Sequence, residues 1–178
     1  MKTIVVYKSK SGYTETYARW IQEELQCDIS EAGSVSIETL QSYDTILYGG
    51  GLYAVGINGI KLIKDHFPTL QDKNLIVWAT GCSPGRPEQL KEVWNHNFSQ
   101  EQLQHIKTFY LRGGFDYKKL EKGDKVLMSM LKIRLKLMKN KDEDALGMLS
   151  SYKVPEYHCD KQLMEPLLQY VKSLSIEK

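Results

Sequence analysis

Short apolar runs rich in β-branched residues alternate along this chain with longer stretches whose apolar positions recur at helical spacing. Thr3 to Tyr7 (TIVVY) predicts a buried strand. Between Thr14 and Gln26, Tyr17, Ala18, Ile21 and Leu25 fall on one face of a helix. A short strand is expected near Cys27–Glu31, followed by a turn at Gly33–Ser34. Thr45 to Tyr48 (TILY) predicts the next strand, ending on three glycines, and Ile60, Leu62, Ile63 and Phe67 a helix closed by Pro68. Leu75 to Ala79 (LIVWA) reads as a strand, Pro87 to Trp94 as a helix and Lys107 to Leu111 (KTFYL) as a fifth strand. Leu163, Leu167, Leu168 and Val171 mark a last helix starting around Asp160.

Repeated strand–helix alternation predicts a parallel sheet with helices on both faces. The strands are apolar throughout rather than alternating, as expected when both faces are covered. No repeat or linker divides residues 1–178, so a single domain is expected. One stretch, 113–152, breaks the alternation; it is rich in Lys, Leu and Met and reads as an insertion. Within it, a helical wheel over 125–139 gathers Lys125, Lys132, Lys136 and Lys139 on one narrow face. Val126, Leu127, Met130, Leu131, Ile133, Leu135, Leu137 and Met138 form a broad opposite arc, interrupted by Arg134. Such a helix can lie on an anionic membrane surface, dock a partner, or pack on its own domain with a solvated lysine face.

Composition narrows the class. The net charge of +2 does not suggest nucleic-acid binding. Cys27, Cys82 and Cys159 are scattered and form no C-x-x-C pair, which fits a reducing cytoplasm better than a disulfide scaffold. The apolar run after Met1-Lys2-Thr3 is too short for a signal-peptide core or a membrane span, so a soluble, cytoplasmic protein is expected, with peripheral contact at the inner membrane face open through 125–139. His66, His96, His105 and His158 form no metal-ligand spacing, and no hydrolytic triad or carboxylate pair stands out. No catalytic side chain or metal is therefore expected; a cofactor would carry the chemistry.

Ligands of such sheets bind beyond the carboxyl ends of the strands, where the strand order reverses. After the first strand comes Lys8-Ser9-Lys10-Ser11-Gly12-Tyr13-Thr14, leading into a helix. Ser9, Ser11 and Thr14 offer hydroxyls, Gly12 lets successive N–H groups turn inward, and the helix N-terminus favours an anion. Lys8 and Lys10 add longer-range attraction. Together they suit a phosphate monoester, although an ordinary helix cap at Thr14 is the plainer alternative. G-x-x-x-x-G-K-[ST] is absent, and so is G-x-G-x-x-G after this strand. After the third strand, Gly49-Gly50-Gly51-Leu52-Tyr53-Ala54-Val55-Gly56 would let a flat ligand approach, with Tyr53 stacking on it or simply exposed in a turn. After the fourth, Thr80-Gly81-Cys82-Ser83-Pro84-Gly85-Arg86 presents small residues, and Cys82 is either a reactive thiol or a filler of a tight loop. Arg112, after the fifth, faces the ligand or its partner, or is a solvated cation.

Tyr7 to Thr14 resembles the phosphate signature of the flavodoxins: two hydroxyl residues one apart, glycine, a spacer, then threonine. That family with its FMN is among the cases from which the strand-order rule was drawn. The resemblance implies a flavodoxin-like α/β fold, a doubly wound five-stranded parallel sheet in order 2-1-3-4-5 with an insertion before the last helix. It also implies FMN as cofactor, with Ser9, Lys10, Ser11, Gly12, Tyr13 and Thr14 at the phosphate. Gly51, Leu52, Tyr53 and Ala54, and Thr80, Gly81, Cys82 and Gly85, would then lie around the ring. More narrowly, Arg112 to Tyr117 and the Lys/Met/Leu-rich stretch after it resemble the insertion of the menaquinone-dependent protoporphyrinogen oxidases. That implies electron transfer to or from a quinone- or porphyrin-like molecule; a carrier between redox partner proteins is the alternative.

Overall fold

A computed structural model describes residues 1–141 and 143–175; the side chains of residues 127, 143 and 144, Leu127 of the predicted apolar arc among them, lie outside the described residues. The elements run β1 (Thr3–Lys8), α1 (Tyr13–Leu25), β2 (Asp28–Glu31), α2 (Ile37–Gln41), β3 (Thr45–Tyr53), β4 (Gly56–Ile57), α3 (Lys61–Asp65), α4 (Phe67–Leu70), β5 (Asn74–Gly81), α5 (Pro87–Asn97), α6 (Gln100–His105) and β6 (Ile106–Arg112). They continue as β7 (Gly114–Phe115), a 3-10 turn at Tyr117–Lys119, α7 (Lys122–Leu137), α8 (Glu143–Ser151), β8 (Glu156–Tyr157), a 3-10 turn at Lys161–Met164 and α9 (Glu165–Ser173).

Five strands pair in parallel in the order β2-β1-β3-β5-β6, which is the expected order with the fourth and fifth parallel strands here labelled β5 and β6. Short β4 folds back antiparallel on the end of β3. Neighbouring residues of each apolar strand point to opposite faces, so each run feeds two cores. Ile4, Val6, Ile46, Tyr48 and Val77 pack with Leu40, Ile63, Phe67, Leu70 and Val93 from α2 to α5. On the other face Val5, Leu47, Ile76 and Trp78 pack with Tyr17, Ala18 and Ile21 of α1 and Leu167, Leu168 and Val171 of α9.

Several local expectations change. The three glycines do not end β3 but lie inside it, and at Gly49 and Gly50 the neighbours leave no room for a side chain. A Cβ on Gly49 would sit 2.0 Å from the buried Trp78 indole, and one on Gly50 2.5 Å from Ile57. The helix expected up to Pro68 is two short ones, with Pro68 in the first turn of α4, where its missing N–H costs nothing. The last α-helix likewise starts with Pro166 in its first turn, after the 3-10 turn.

The segment after β6 is closed by the ribbon of β7 and β8, pairing Gly114 with Tyr157 and Phe115 with Glu156. Between these strands, α7 packs on Tyr117 and Tyr152. Tyr152 donates to the Met128 carbonyl at 2.6 Å, and the Tyr117 and Ser129 hydroxyls lie 2.8 Å apart.

Candidate cofactor site

The three predicted loops meet at the carboxyl edge of the sheet. The chain turns through Gly12, which has φ +91° and sets the start of α1; an L side chain would be strained there, and the space beside it is open. The Ser9 hydroxyl accepts from the Gly12 N–H at 3.1 Å, bracing the turn. Thr14 is not a cap: it lies inside the first turn of α1, and its residue is buried. Its Oγ1 lies 3.5 Å from where a Cβ on Gly51 would be, so the phosphate loop and the end of β3 touch through a glycine. Gly51 in turn pairs with Thr80 across the sheet. The Thr80 hydroxyl is buried without a hydrogen-bond partner, an arrangement that costs free energy unless a ligand or water completes it.

Tyr53 does not stand free, because the Lys10 ammonium sits 4.6 Å from its ring centroid. Ala54 takes the left-handed conformation at φ 53°, turning the chain back into β4. That hairpin is pinned by Asn97, whose amide accepts from the Ile57 N–H at 3.0 Å and donates to Val55 and Val93 carbonyls at 2.7 Å. Leu52 lies against Gly81, where a Cβ would come within 3.2 Å of its Cδ1. Gly85 turns at φ +77° under the Tyr110 ring, and Tyr110 donates to the Ser83 carbonyl at 2.6 Å. Asn97 and Tyr110 are positioning residues that the sequence did not single out, since their partners are distant along the chain.

Three side chains make contacts that the sequence did not indicate. Tyr13 turns away from the phosphate loop, packs beneath Gly113 and Gly114, and donates to the Glu156 carbonyl at 3.2 Å. Arg112 is half-buried, and its Nε donates to the Cys82 carbonyl at 2.9 Å. The Cys82 thiol lies 3.4 Å from a Glu156 carboxylate oxygen, which is also 2.8 Å from a His158 ring nitrogen. These three groups lie within 4.8 Å of one another, a set that could hold a metal ion, but they already bond to each other. Burial first, and the Glu156 carboxylate second, push the Cys82 thiol up to about 12, so it is a protonated donor at neutral pH.

Lys10 links this site to the insertion. Its ammonium lies 2.8 Å from Asp124 and 3.7 Å from Glu121, at the start of α7. The hydrogen bond to Asp124 is the main cause that raises its pKa. The phosphate loop thus carries hydroxyl residues, N–H groups at a helix start and one partly neutralised lysine, next to the glycines of β3. Such a set suits a phosphate on a planar ligand.

A family model described as a flavodoxin domain matches residues 4–144. Among solved structures, a flavodoxin-type WrbA-like protein from Agrobacterium tumefaciens is 17% identical, with a TM-score of 0.48 over 69% of this chain and 87% of that one. The Trp repressor binding protein from Bacillus subtilis is 18% identical, with a TM-score of 0.47 over 79% of this chain and 100% of that one. A flavoprotein in complex with FMN from Lactobacillus acidophilus is 18% identical, with a TM-score of 0.38 over 62% and 91% of the two chains. No curated protein matches the sequence.

Proposed function

The chain belongs to the flavodoxin domain family, and on that premise we propose that it binds FMN and works as a redox protein through it. The observation that carries this reading is the junction of Thr14, Gly51 and Thr80. It brings the phosphate loop, whose Gly12 faces open space, against the glycine end of β3 and next to a buried, unpartnered hydroxyl, at the strand ends where the sheet order reverses.

Ser9, Ser11, Thr14 and the first N–H groups of α1 would hold the phosphate, whose charge the helix start favours. The Gly51–Ala54 hairpin and the Thr80–Gly85 loop would border the ring, one fixed by Asn97 and the other by Tyr110 and Arg112. FMN, when bound, supplies one- and two-electron chemistry that none of these side chains has. The protein's part is to orient the cofactor and to keep neighbouring groups in fixed protonation states. The Cys82 thiol stays protonated beside Glu156, and burial likewise raises the Tyr53 hydroxyl. The finer reading is an oxidoreductase of the protoporphyrinogen oxidase type, exchanging electrons with a quinone- or porphyrin-like molecule. The cationic segment from Lys118 to Lys141 supports it over a carrier that meets basic protein partners through an acidic surface.

Titration of the purified protein with FMN, followed by flavin fluorescence and thermal stability, tests the cofactor. Ser11→Asp places a carboxylate against the phosphate and is expected to weaken FMN by at least about 100-fold, since like charges a few ångströms apart repel by several kcal/mol. Wild-type protein that FMN neither binds nor stabilises, or undiminished affinity in the variant, would overturn the assignment. Steady-state turnover with quinones and with protoporphyrinogen separates an enzyme from a carrier.

A further inference from the structure

Helix α7 is mounted with much of its apolar surface outward. Its inner side is held by polar groups: Ser129 meets Tyr117, the Met128 carbonyl accepts from Tyr152, Lys125 donates to the Lys118 carbonyl, and Lys132 lies over the Tyr117 and Tyr152 rings. The lysine side expected to face solvent thus partly faces the domain. Val126, Met130, Ile133 and Leu137, spaced at four, three and four, form one straight stripe and are 63%, 64%, 59% and 77% exposed. A helix covers about 1.5 Å per residue, so the stripe runs along three turns. Single exposed apolar residues need no explanation, but four in register on one helix do.

Charge identifies what covers them. From Lys118 to Lys141 the chain has nine Lys or Arg and two acidic residues, Glu121 and Asp124. Both acids are paired with Lys10. By helical period, Lys122 and Lys136 border the stripe on one side and Arg134 on the other, and all three are exposed. A second copy of the chain would bring these cations against one another. A bilayer surface containing anionic lipids would instead accept the apolar stripe at its acyl boundary and the flanking cations at its headgroups.

We propose that the Val126–Leu137 stripe of α7, with Lys122, Arg134 and Lys136 at its margins, is a docking face for an anionic lipid bilayer. Because α7 begins on Lys10 of the phosphate loop, docking would hold that loop beside the membrane surface. The proposal does not depend on the electron acceptor or on the flavin being bound.

Flotation of the protein as purified with phosphatidylcholine vesicles, and with equimolar phosphatidylcholine and phosphatidylglycerol, tests it, with FMN content measured on the same samples. Binding is expected to the mixed vesicles only, and to weaken as salt is added. Met130→Glu with Ile133→Glu, both pointing to solvent, should lower partitioning at least tenfold without altering the circular dichroism or FMN content. Arg134→Gln and Lys136→Gln should each lower it about fivefold on anionic vesicles. No binding to anionic vesicles by folded protein overturns the proposal, as does binding that the double glutamate variant retains. Sedimentation velocity that shows a dimer dissolved by the double variant, with no vesicle binding, would assign the stripe to self-association and also overturn it.

Discussion

The phosphate loop and the insertion border the same rim of the sheet but are built in opposite ways. The loop from Ser9 to Thr14 is short and anchored at both ends in the core, by β1 and by α1, whose Tyr17, Ala18 and Ile21 are fully buried. The segment between β7 and β8 is long, and polar tethers hold much of it: two tyrosine hydroxyls, a two-stranded ribbon and the Lys10 ion pairs. Buried apolar packing fixes geometry tightly, whereas partly buried polar tethers with less apolar packing behind them permit local opening at smaller cost. A cofactor loop needs the first property. A face that meets an external surface can use the second.

The largest effect is expected where the rigid region has no slack. Gly49→Ala would drive a Cβ into the Trp78 indole, a buried ring that cannot turn aside. A loss of about 3 kcal/mol in urea unfolding is expected, with weaker FMN binding because β3 carries Gly51. Stability within about 0.5 kcal/mol of wild type would show that the sheet yields at this edge, and would remove the contrast with the insertion.

A smaller and local effect is expected in the tethered region. Tyr152→Phe keeps the ring against Phe115 and Tyr117 but deletes the hydroxyl that reaches the Met128 carbonyl. About 1 kcal/mol of local stability should go. It should appear as faster amide exchange over 122–137, with exchange in β1, β3 and β5 unchanged. Slowing or acceleration shared equally by the central strands would mean that the insertion unfolds only with the whole domain.

How much of this was legible in the sequence follows the same division. Strands buried on both faces write themselves as continuous apolar runs, so β1, β3 and β5 were readable, and with them the place of the phosphate loop; the edge strand β6, only partly buried, was readable from its aromatic run. The glycines of β3 were read as the end of the strand because the residue that demands Gly49 is Trp78, on the neighbouring strand. Helix α6 had a readable start, since Ser99 and Gln102 form a reciprocal cap, but it is too short to show a period. Within the site, Ser9, Gly12 and Thr14 were visible as a local pattern. Asn97, Tyr110 and the bonds of Cys82 to Glu156 and of Arg112 to the Cys82 carbonyl were not, because each joins positions far apart in the chain. The wheel of α7 was readable too, but not which side of it would meet the domain: that is decided by Tyr117 and Tyr152, which offer it hydroxyls and ring faces.

The subtlest test lies where the two regions join. Lys10 belongs to the phosphate loop by sequence, yet its ammonium is bonded to Asp124 of α7, so part of its charge is spent on the insertion. Asp124→Asn removes that carboxylate while keeping a side chain of the same shape. The Lys10 pKa, held up chiefly by Asp124, should fall. Its charge would then act on the phosphate instead, and FMN affinity should rise by up to about fivefold at low ionic strength, the range of partly exposed ion pairs. Added salt should erase the gain, because the interaction is Coulombic and near solvent. The same variant should speed amide exchange at the start of α7, where an ion pair has been cut. Tighter FMN together with a looser helix would mean that cofactor and insertion compete for one lysine. Unchanged or weaker FMN binding would mean that Asp124 instead helps to hold Lys10 in place for the phosphate, and that the two regions work together rather than against each other.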